Sequence, residues 1–157
     1  MSEERTDQIA KIAQLPDQIE ALVSDLTPEQ LTTHYLTDEW TVAQNVHHLA
    51  DSHMNSYIRC KLMSTEEHPM LRSYDQDRWA DLPDASTADL TASLALLRSL
   101  HERWVMFWES LSGEDWQRTG QFTSGNTITL ERQLGLYCDH GEAHIDQITR
   151  TLAAEVN

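Results

Sequence analysis

Two histidines four residues apart, His140 and His144, have a spacing that could support chemistry. On an α-helix, residues four apart share one face, so both imidazoles can direct a ring nitrogen at a common point. The apolar residues around them form an arc on the same predicted helix, and both histidines lie along its edge, turned partly inward. Because a buried imidazole needs a polar partner or a metal ion, the spacing is compatible with a metal site. Hydrogen-bonded or surface histidines would give the same pattern.

The segment 140–144 differs from the HExxH motif of zinc proteases. Position 141 is a glycine, and Glu142 falls on the opposite side of the predicted helix from the histidines. The general base of that protease class is therefore missing, which excludes a zinc-protease interpretation.

Three further histidines, His47, His48 and His53, lie in one amphipathic segment. His53 falls on its apolar face, whereas His48 lies on a polar stripe that carries a single charge. The other members of that stripe are Gln44, Ser52, Asn55 and Arg59. Such a stripe either lines a cleft or is ordinary helix surface. Periodicity does not decide which of the three histidines would join His140 and His144.

Four long amphipathic segments must position these residues. The periodicity predicts helices over residues 4–26, 42–64, 87–110 and 130–154, separated by an irregular stretch over 65–86 and a hairpin over 121–129. Thr41 with Gln44 forms a predicted capping box, Thr129 is the predicted cap of the last helix, and Pro16 is expected to kink or restart the first. The fold class is therefore all-α, a four-helix bundle, and one domain over residues 1–157 is expected.

Composition excludes several function classes. The chain has 26 acidic and 11 basic residues, a formal net charge of −15, which disfavours nucleic acid and anionic membranes as partners. No apolar run approaches the roughly 18–20 residues of a membrane span. The N-terminal residues show no secretory signal, so a cytoplasmic location is expected. Cys60 and Cys138 lack a CxxC partner and are expected to be reduced, half-buried thiols.

The segment 40–59 (WTVAQNVHHLADSHMNSYIR) resembles the characteristic helix of the DinB-like superfamily and, within it, the YfiT-like metal-dependent hydrolases. The resemblance continues through Tyr74-Asp75, Trp79-Ala80, residues 93–97, Arg103-Trp104 and the last helix as far as His144. It implies a DinB/YfiT-like four-helix bundle. It also implies a divalent metal site formed by the second histidine of the His-His-Leu-Ala-Asp motif and the two histidines of HxxxH. In this chain these residues are His48, His140 and His144.

Three imidazoles leave a first-row divalent ion with an open coordination position, and imidazole ligation suits zinc or nickel. The resemblance implies a hydrolase that activates water at this position. The alternative is an S-transferase that activates a low-molecular-weight thiol such as bacillithiol or mycothiol, and a second alternative is a non-catalytic metal-binding stress-response module. A small-molecule substrate and a homodimer are expected from the same resemblance.

Weaker candidates surround the expected ligands. Asp51, Asn55, Arg59 and Tyr137 could orient ligands or bind substrate, although ordinary bundle packing or a surface pair is the simpler explanation for each of them. His34, His68 and His101 match no motif and are expected to be structural or exposed. The catalytic residues beyond the metal ligands are otherwise unassigned.

Overall fold

The computed structural model describes residues 2–155. Its four long helices are α1 (Glu3–Val23), α3 (Val42–Thr65), α5 (Thr91–Ser110) and α6 (Leu130–Ala154). The shorter elements are α2 (Pro28–Thr32), β1 (Met70–Leu71), α4 (Gln76–Ala80), β2 (Thr119–Phe122), β3 (Thr127–Thr129) and 3-10 turns at Pro83–Ala85 and Gly113–Gln117. The prediction of a four-helix bundle is confirmed. Within residues 2–155, none of the helices is both long and apolar enough to cross a membrane.

The bundle does not follow an up-down-up-down path. Helix α1 packs against α5 and α6, and α3 packs against the same two helices, so that consecutive long helices α1 and α3 lie across the diagonal. The buried residues show that α1 and α6 run in one direction whereas α3 and α5 run in the other. This arrangement brings α3 and α6, which carry the candidate ligands, into antiparallel contact.

Two apolar clusters fill the bundle. The aromatic cluster is centred on Trp104, Phe107, Trp108, Trp116 and Tyr137, together with Ile9, Ile12, Leu130 and Leu134. The aliphatic cluster contains Leu15, Ile19, Val23, Val42, Val46, Leu49, Leu97 and Ile148. Five histidines, here called the histidine layer, occupy the helical positions where one cluster gives way to the other: His48, His53, His101, His140 and His144. The bundle interior is therefore polar at its middle and apolar on either side.

Local sequence explains where the ligand-bearing helices begin. The Thr41 hydroxyl accepts from the Gln44 backbone N–H, and the Gln44 side chain accepts from the Thr41 N–H, which completes the predicted capping box. The Thr129 hydroxyl likewise accepts from the Arg132 N–H, so α6 begins at Leu130 as expected. These caps set where α3 and α6 start, and so which face of each helix turns inward.

Helix α1 continues through Pro16 without interruption. The sequence predicts a kink or a restart there, because proline has no N–H to donate to the carbonyl four residues earlier. That carbonyl belongs to Ile12, and it accepts a hydrogen bond from His101 Nδ1 at 2.6 Å. A donor from α5 thus takes the place of the missing intrahelical bond, and the helix is not broken.

Helix α1 ends at Val23 rather than at residue 26, and two other regions also differ from the sequence-based expectation. Helix α5 begins at Thr91 rather than near residue 87, because the Thr87 hydroxyl and the Asp89 carboxylate accept from nearby backbone N–H groups and hold a turn ahead of the helix. The stretch 65–86 contains β1, α4 and a 3-10 turn, elements of two to five residues that are too short for periodicity to reveal. Strand β1 pairs in parallel with β2, and β2 pairs with β3 in the predicted hairpin.

Candidate metal centre

The structure brings together the three histidines expected to bind a metal. His48 Nε2 and His144 Nε2 each lie 3.2 Å from His140 Nε2. One nitrogen from each of the three rings lies within 4.8 Å of the others. His48 and His144 are buried and His140 is partly buried. The three rings therefore present their Nε2 atoms to one small region between α3 and α6.

A hydrogen bond from α3 orients the His144 ring. The His144 Nδ1 atom lies 2.7 Å from Asn45 Oδ1, and Asn45 Nδ2 donates to the Thr41 carbonyl at 2.9 Å. Since the amide oxygen can only accept, His144 Nδ1 carries the hydrogen, and in the neutral ring Nε2 has a free lone pair. Asn45 thus directs an unprotonated nitrogen of His144 toward His140.

Two other members of the histidine layer, His53 and His101, hold His140 from its other side. The His140 Nδ1 atom lies 3.2 Å from His53 Nε2, and His53 Nδ1 lies 2.8 Å from His101 Nε2. The rings of His53 and His101 are stacked, with centroids 4.9 Å apart. Both nitrogens of His53 are therefore engaged within the protein interior.

Burial keeps the three candidate ligands neutral. Desolvation, aided by the proximity of other histidines, lowers the pKa of His48 and that of His140 to about 3. Desolvation alone lowers the pKa of His144 to about 4. A neutral imidazole is the form that donates a lone pair to a metal ion. These pKa values mean that the folded site stays in its ligand form well below the ordinary histidine range.

Of the three histidines that periodicity could not separate, His48 is the one that joins the facing nitrogens of His140 and His144, whereas His53 contacts His140 on its Nδ1 side. His47 is buried on another side of α3, with Nδ1 2.7 Å from Ser93 Oγ and Nε2 2.9 Å from the Thr87 carbonyl. The contact of His47 with Ser93 and Thr87 ties α3 to the start of α5. His47 is therefore a packing residue away from the candidate site.

Periodicity places His101 on the buried side of the third long helix, which is confirmed, but sequence reasoning missed its partners. His101 is 1% exposed and bonded to both Ile12 and His53, although no motif marks it. The only available signal was a histidine in register with Leu97 and Trp104 on the buried side of α5. By contrast, His34 and His68 are exposed, as expected.

The weaker candidates divide into two groups. Tyr137 lies beside the site, with its ring centroid 5.2 Å from that of His140 and its hydroxyl 3.3 Å from Ser52 Oγ. Asn55 donates to the Asp51 carbonyl, and Arg59 donates to the Arg72 carbonyl, which attaches the segment after β1 to α3. Burial raises the pKa of Asp51, aided by the charge of Asp84. A direct role in catalysis stays a prediction for all four.

Trp40 covers one side of the histidines. Its ring centroid lies 4.6 Å from that of His48, and its plane is stacked on that of His144 at 6.1 Å. An indole in this position shields the nitrogens from solvent and contributes to the desolvation that lowers their pKa values.

The glycine and glutamate of the segment 140–144 have structural roles. A Cβ at Gly141 would lie 2.9 Å from Leu15 Cδ2, so the glycine permits α6 to approach α1 closely. Glu142 is exposed and pairs with Lys11 Nζ at 2.6 Å. The glutamate therefore points away from the histidines, as the sequence predicts.

The two cysteines are separate from the site chemistry. Both are buried and free, and burial raises the pKa of Cys60 and of Cys138 to about 12. Neither thiol is therefore ionised near neutral pH, and neither belongs to the group of facing histidine nitrogens.

Known bacterial proteins are similar to this chain in sequence. The chain is 46% identical to YfiT of Bacillus subtilis over 153 residues, which cover 95% of this chain and 85% of that protein. It is 43% identical to a relative from Oceanobacillus iheyensis over 141 residues, covering 90% of this chain and 81% of the relative. The names of both provisionally class them as metal-dependent hydrolases.

Solved structures agree with the fold. The structure of Bacillus subtilis YfiT, described as a probable metal-dependent hydrolase with an unusual four-helix bundle topology, matches with a TM-score of 0.92 at 44% identity over 96% of this chain and 87% of that one. A mycothiol-dependent maleylpyruvate isomerase matches with a TM-score of 0.71 at 16% identity over 92% of this chain and 60% of that one, which shows a shared fold. The sequence profile of the DinB superfamily matches residues 11–148. This chain belongs to the DinB superfamily.

Proposed function

We propose that this protein is a metal-dependent enzyme of the hydrolase type that acts on a small molecule. In this proposal His48, His140 and His144 hold one divalent ion, zinc or nickel. The observation that carries the proposal is the convergence of three Nε2 atoms on one region, with 3.2 Å between His140 and each of the other two.

The donor set supports a metal ion over a purely hydrogen-bonded cluster. His144 Nε2 bears a lone pair because Asn45 accepts the hydrogen of Nδ1. Three neutral, buried imidazoles with their nitrogens turned inward lack enough hydrogens to satisfy one another, whereas a cation accepts all three lone pairs. Imidazole donors favour zinc or nickel over magnesium and calcium, which prefer oxygen.

An ion held by His48, His140 and His144 would supply acidity that the side chains of the protein lack, so that a bound water or thiol would lose its proton near neutral pH. The surrounding residues would contribute orientation and exclusion of solvent: Asn45 fixes His144, Trp40 covers one side, and the hydroxyls of Tyr137 and Ser52 lie nearby.

Metal content tests the ligand assignment. Replacing His48, His140 or His144 by alanine is expected to remove most of the bound zinc or nickel. The metal content of each purified variant is measured by elemental mass spectrometry. His47→Ala is the matched control, because His47 is equally buried and adjacent in sequence but bonds to Ser93 and Thr87 instead. Stoichiometric metal in all three ligand variants, or equal loss in the His47 variant, would contradict the assignment.

Turnover tests the reaction type. The metal-loaded protein is incubated with a panel of small electrophiles and esters, with and without a low-molecular-weight thiol such as bacillithiol or mycothiol. Product formation in water alone, lost on chelation, is expected for the hydrolase. Turnover that requires the thiol would instead establish thiol transfer. Metal binding without turnover under any of these conditions would favour a non-catalytic metal-binding module.

We also propose a homodimer, on the basis of the family resemblance. Light scattering of the purified protein is expected to give twice the chain mass of 18.0 kDa. A single species at the chain mass at micromolar concentration would contradict the dimer.

A further inference from the structure

A continuous line of hydrogen bonds links a main-chain carbonyl of α1 to the candidate ligand His140. It runs from the Ile12 carbonyl to His101 Nδ1 at 2.6 Å, from His101 Nε2 to His53 Nδ1 at 2.8 Å, and from His53 Nε2 to His140 Nδ1 at 3.2 Å. We propose that His53 and His101 are positioning residues that fix the tautomer of His140 and so direct its Nε2 lone pair into the metal site. This inference rests on the proposed metal-binding function.

Pro16 explains why a carbonyl inside a helix is available to begin this line. In a helix with any other residue at position 16, the Ile12 carbonyl would accept from the N–H of that residue. Proline has no N–H, so the carbonyl is left for a donor from another element. His101 on α5 provides that donor. The proline in α1 and the histidine in α5 therefore form one structural unit.

The carbonyl determines the direction of every hydrogen bond in the line. Because the Ile12 oxygen can only accept, His101 Nδ1 carries the hydrogen, and Nε2 of the neutral ring is an acceptor. The facing nitrogen, His53 Nδ1, must then donate, which leaves His53 Nε2 as an acceptor. Its partner, His140 Nδ1, must donate in turn. The remaining nitrogen of His140, Nε2, consequently has a free lone pair.

The rings of His53 and His101 lie in surroundings that favour the neutral form. His53 is 0% exposed and His101 is 1% exposed. A charged imidazolium at either position would be shut off from water, and the Ile12 carbonyl is the one backbone acceptor that the line of hydrogen bonds provides. His53 also contacts the aromatic rings of Trp104 and Tyr137, edge to face, which leaves it no charged partner among these neighbours.

The two candidate ligands of α6 therefore have the same tautomer, with the hydrogen on Nδ1, but different residues fix it in each case. His144 is fixed by Asn45, which is anchored on the Thr41 carbonyl of α3. His140 is fixed through two imidazoles anchored on the Ile12 carbonyl of α1. The result is two unprotonated Nε2 atoms 3.2 Å apart, an arrangement in which lone pairs oppose each other unless a cation lies between them. Residues outside the coordination sphere that hold a histidine ligand in this way commonly contribute 10–100-fold to metal affinity.

The tautomers can be observed directly by long-range ¹H–¹⁵N NMR on the metal-free wild-type protein near pH 7.5. The expected result is hydrogen on Nδ1 and none on Nε2 for His53, His101 and His140. A hydrogen on Nε2 of His140 in the folded protein would overturn the inference, whatever the metal affinity.

Substitution of His101 tests the effect on binding. His101→Phe keeps a ring of similar size but removes both hydrogen bonds, and is expected to weaken zinc binding about 10–100-fold in a chelator competition assay. His101→Gln keeps one donor and one acceptor and is expected to restore most of the affinity. The matched control is Leu97→Ala, one turn earlier on α5 in the aliphatic cluster, which should lower the melting temperature without changing zinc affinity.

The outcomes separate this inference from the proposed function. Wild-type affinity in a folded His101→Phe protein would overturn the positioning role and leave the metal site standing. Failure of the wild-type protein to bind zinc or nickel would overturn the proposed function, while the tautomer assignment would still be decided by NMR. If the phenylalanine variant does not fold, the glutamine variant and the wild-type tautomers decide the matter.

Discussion

The histidine layer and the two apolar clusters occupy the same bundle interior but are held together by different interactions. In the clusters, side chains such as Trp108 and Ile19 are fully buried and contribute through non-directional packing. In the layer, His53 and His101 are equally buried, yet each depends on named partners at 2.6 to 2.8 Å. The clusters can therefore supply the stability that allows a costly polar layer to persist between them.

Because of this difference, we expect changes in the apolar clusters and changes in the histidine layer to have distinct effects. A change in a cluster should alter stability and leave the metal site intact in the folded molecules. A change in the layer should alter metal affinity or tautomers, with smaller or conditional effects on stability. The following predictions test this separation, beginning with the largest expected effect.

Acid should destabilise the metal-free protein steeply. The five histidines of the histidine layer have a lowered pKa in the folded state, to about 3 for His48 and His140 and about 4 for His101 and His144, with that of His53 also well below its ordinary value. The unfolded chain binds protons near pH 6.5 and the folded chain does not, so stability is greatest above pH 6.5. It falls as the pH drops below about 6.5, because each histidine that is protonated in the unfolded chain and neutral in the folded chain shifts the equilibrium toward unfolding.

Urea unfolding of the metal-free protein from pH 7.5 to 5 measures this dependence. Zinc should raise the unfolding free energy by mass action, because it binds the folded protein. This increase should become smaller at lower pH, because the ligands bind the ion only when deprotonated. An unfolding free energy that is constant over this range would mean that the histidines are not buried and neutral as described.

Trp108→Ala tests the aromatic cluster. Trp108 is 0% exposed, and its ring contacts those of Trp104, Phe107 and Trp116. Truncation should cost about 3–5 kcal/mol of unfolding free energy because it removes a large buried side chain and leaves a cavity. The folded fraction should still bind one equivalent of metal. Loss of metal affinity in a variant that remains folded would show that the cluster and the layer are not separable.

Asn45→Ala tests the second anchor of the layer. Removing the amide leaves His144 Nδ1 without its acceptor, so the His144 tautomer is no longer fixed and metal affinity should fall about 10–100-fold. Isothermal titration with zinc in the presence of a competing chelator measures the change. Asn45→Asp keeps an acceptor oxygen and is the control, expected to bind more tightly than the alanine variant. Equal affinities for the two variants would contradict the role given to the amide oxygen.

Pro16→Ala should have the smallest effect. The new N–H can donate to the Ile12 carbonyl, which has two lone pairs and can also retain His101. Zinc affinity should therefore fall by no more than a few-fold, while α1 gains an intrahelical hydrogen bond and the melting temperature rises. A loss of affinity as large as that of His101→Phe would mean that the proline shapes the site by another route.

Much of the architecture follows from sequence because its determinants are local. The Thr41–Gln44 capping box, the Thr129 cap and the hairpin around Gly125 each depend on residues within a few positions of one another. The run of helix through Pro16 could not be predicted, because the bond that replaces the missing one comes from His101, 85 positions further along the chain. The direction of the helices and the diagonal placement of α1 and α3 could not be predicted either, because both depend on contacts between residues far apart in the sequence.

In the candidate site, too, features with local determinants could be predicted from sequence and those that depend on distant residues could not. The spacing of His140 and His144 marks them from sequence, and resemblance to a family selects His48. Periodicity alone would have favoured neither His48 nor His53, since one lies on a polar stripe and the other on an apolar face. Asn45 and His101 carry no local mark, because their roles depend on partners on other helices.

The most direct test of the metal site is an anomalous difference map from crystals of the zinc-loaded or nickel-loaded protein, collected at the absorption edge of the metal. We expect one strong peak at bonding distance, about 2.0–2.1 Å for zinc, from Nε2 of His48, His140 and His144. His140 Nδ1 should remain bonded to His53, and His144 Nδ1 to Asn45. A peak on other residues, coordination through Nδ1, or no peak at this position in protein of verified metal content would contradict the account.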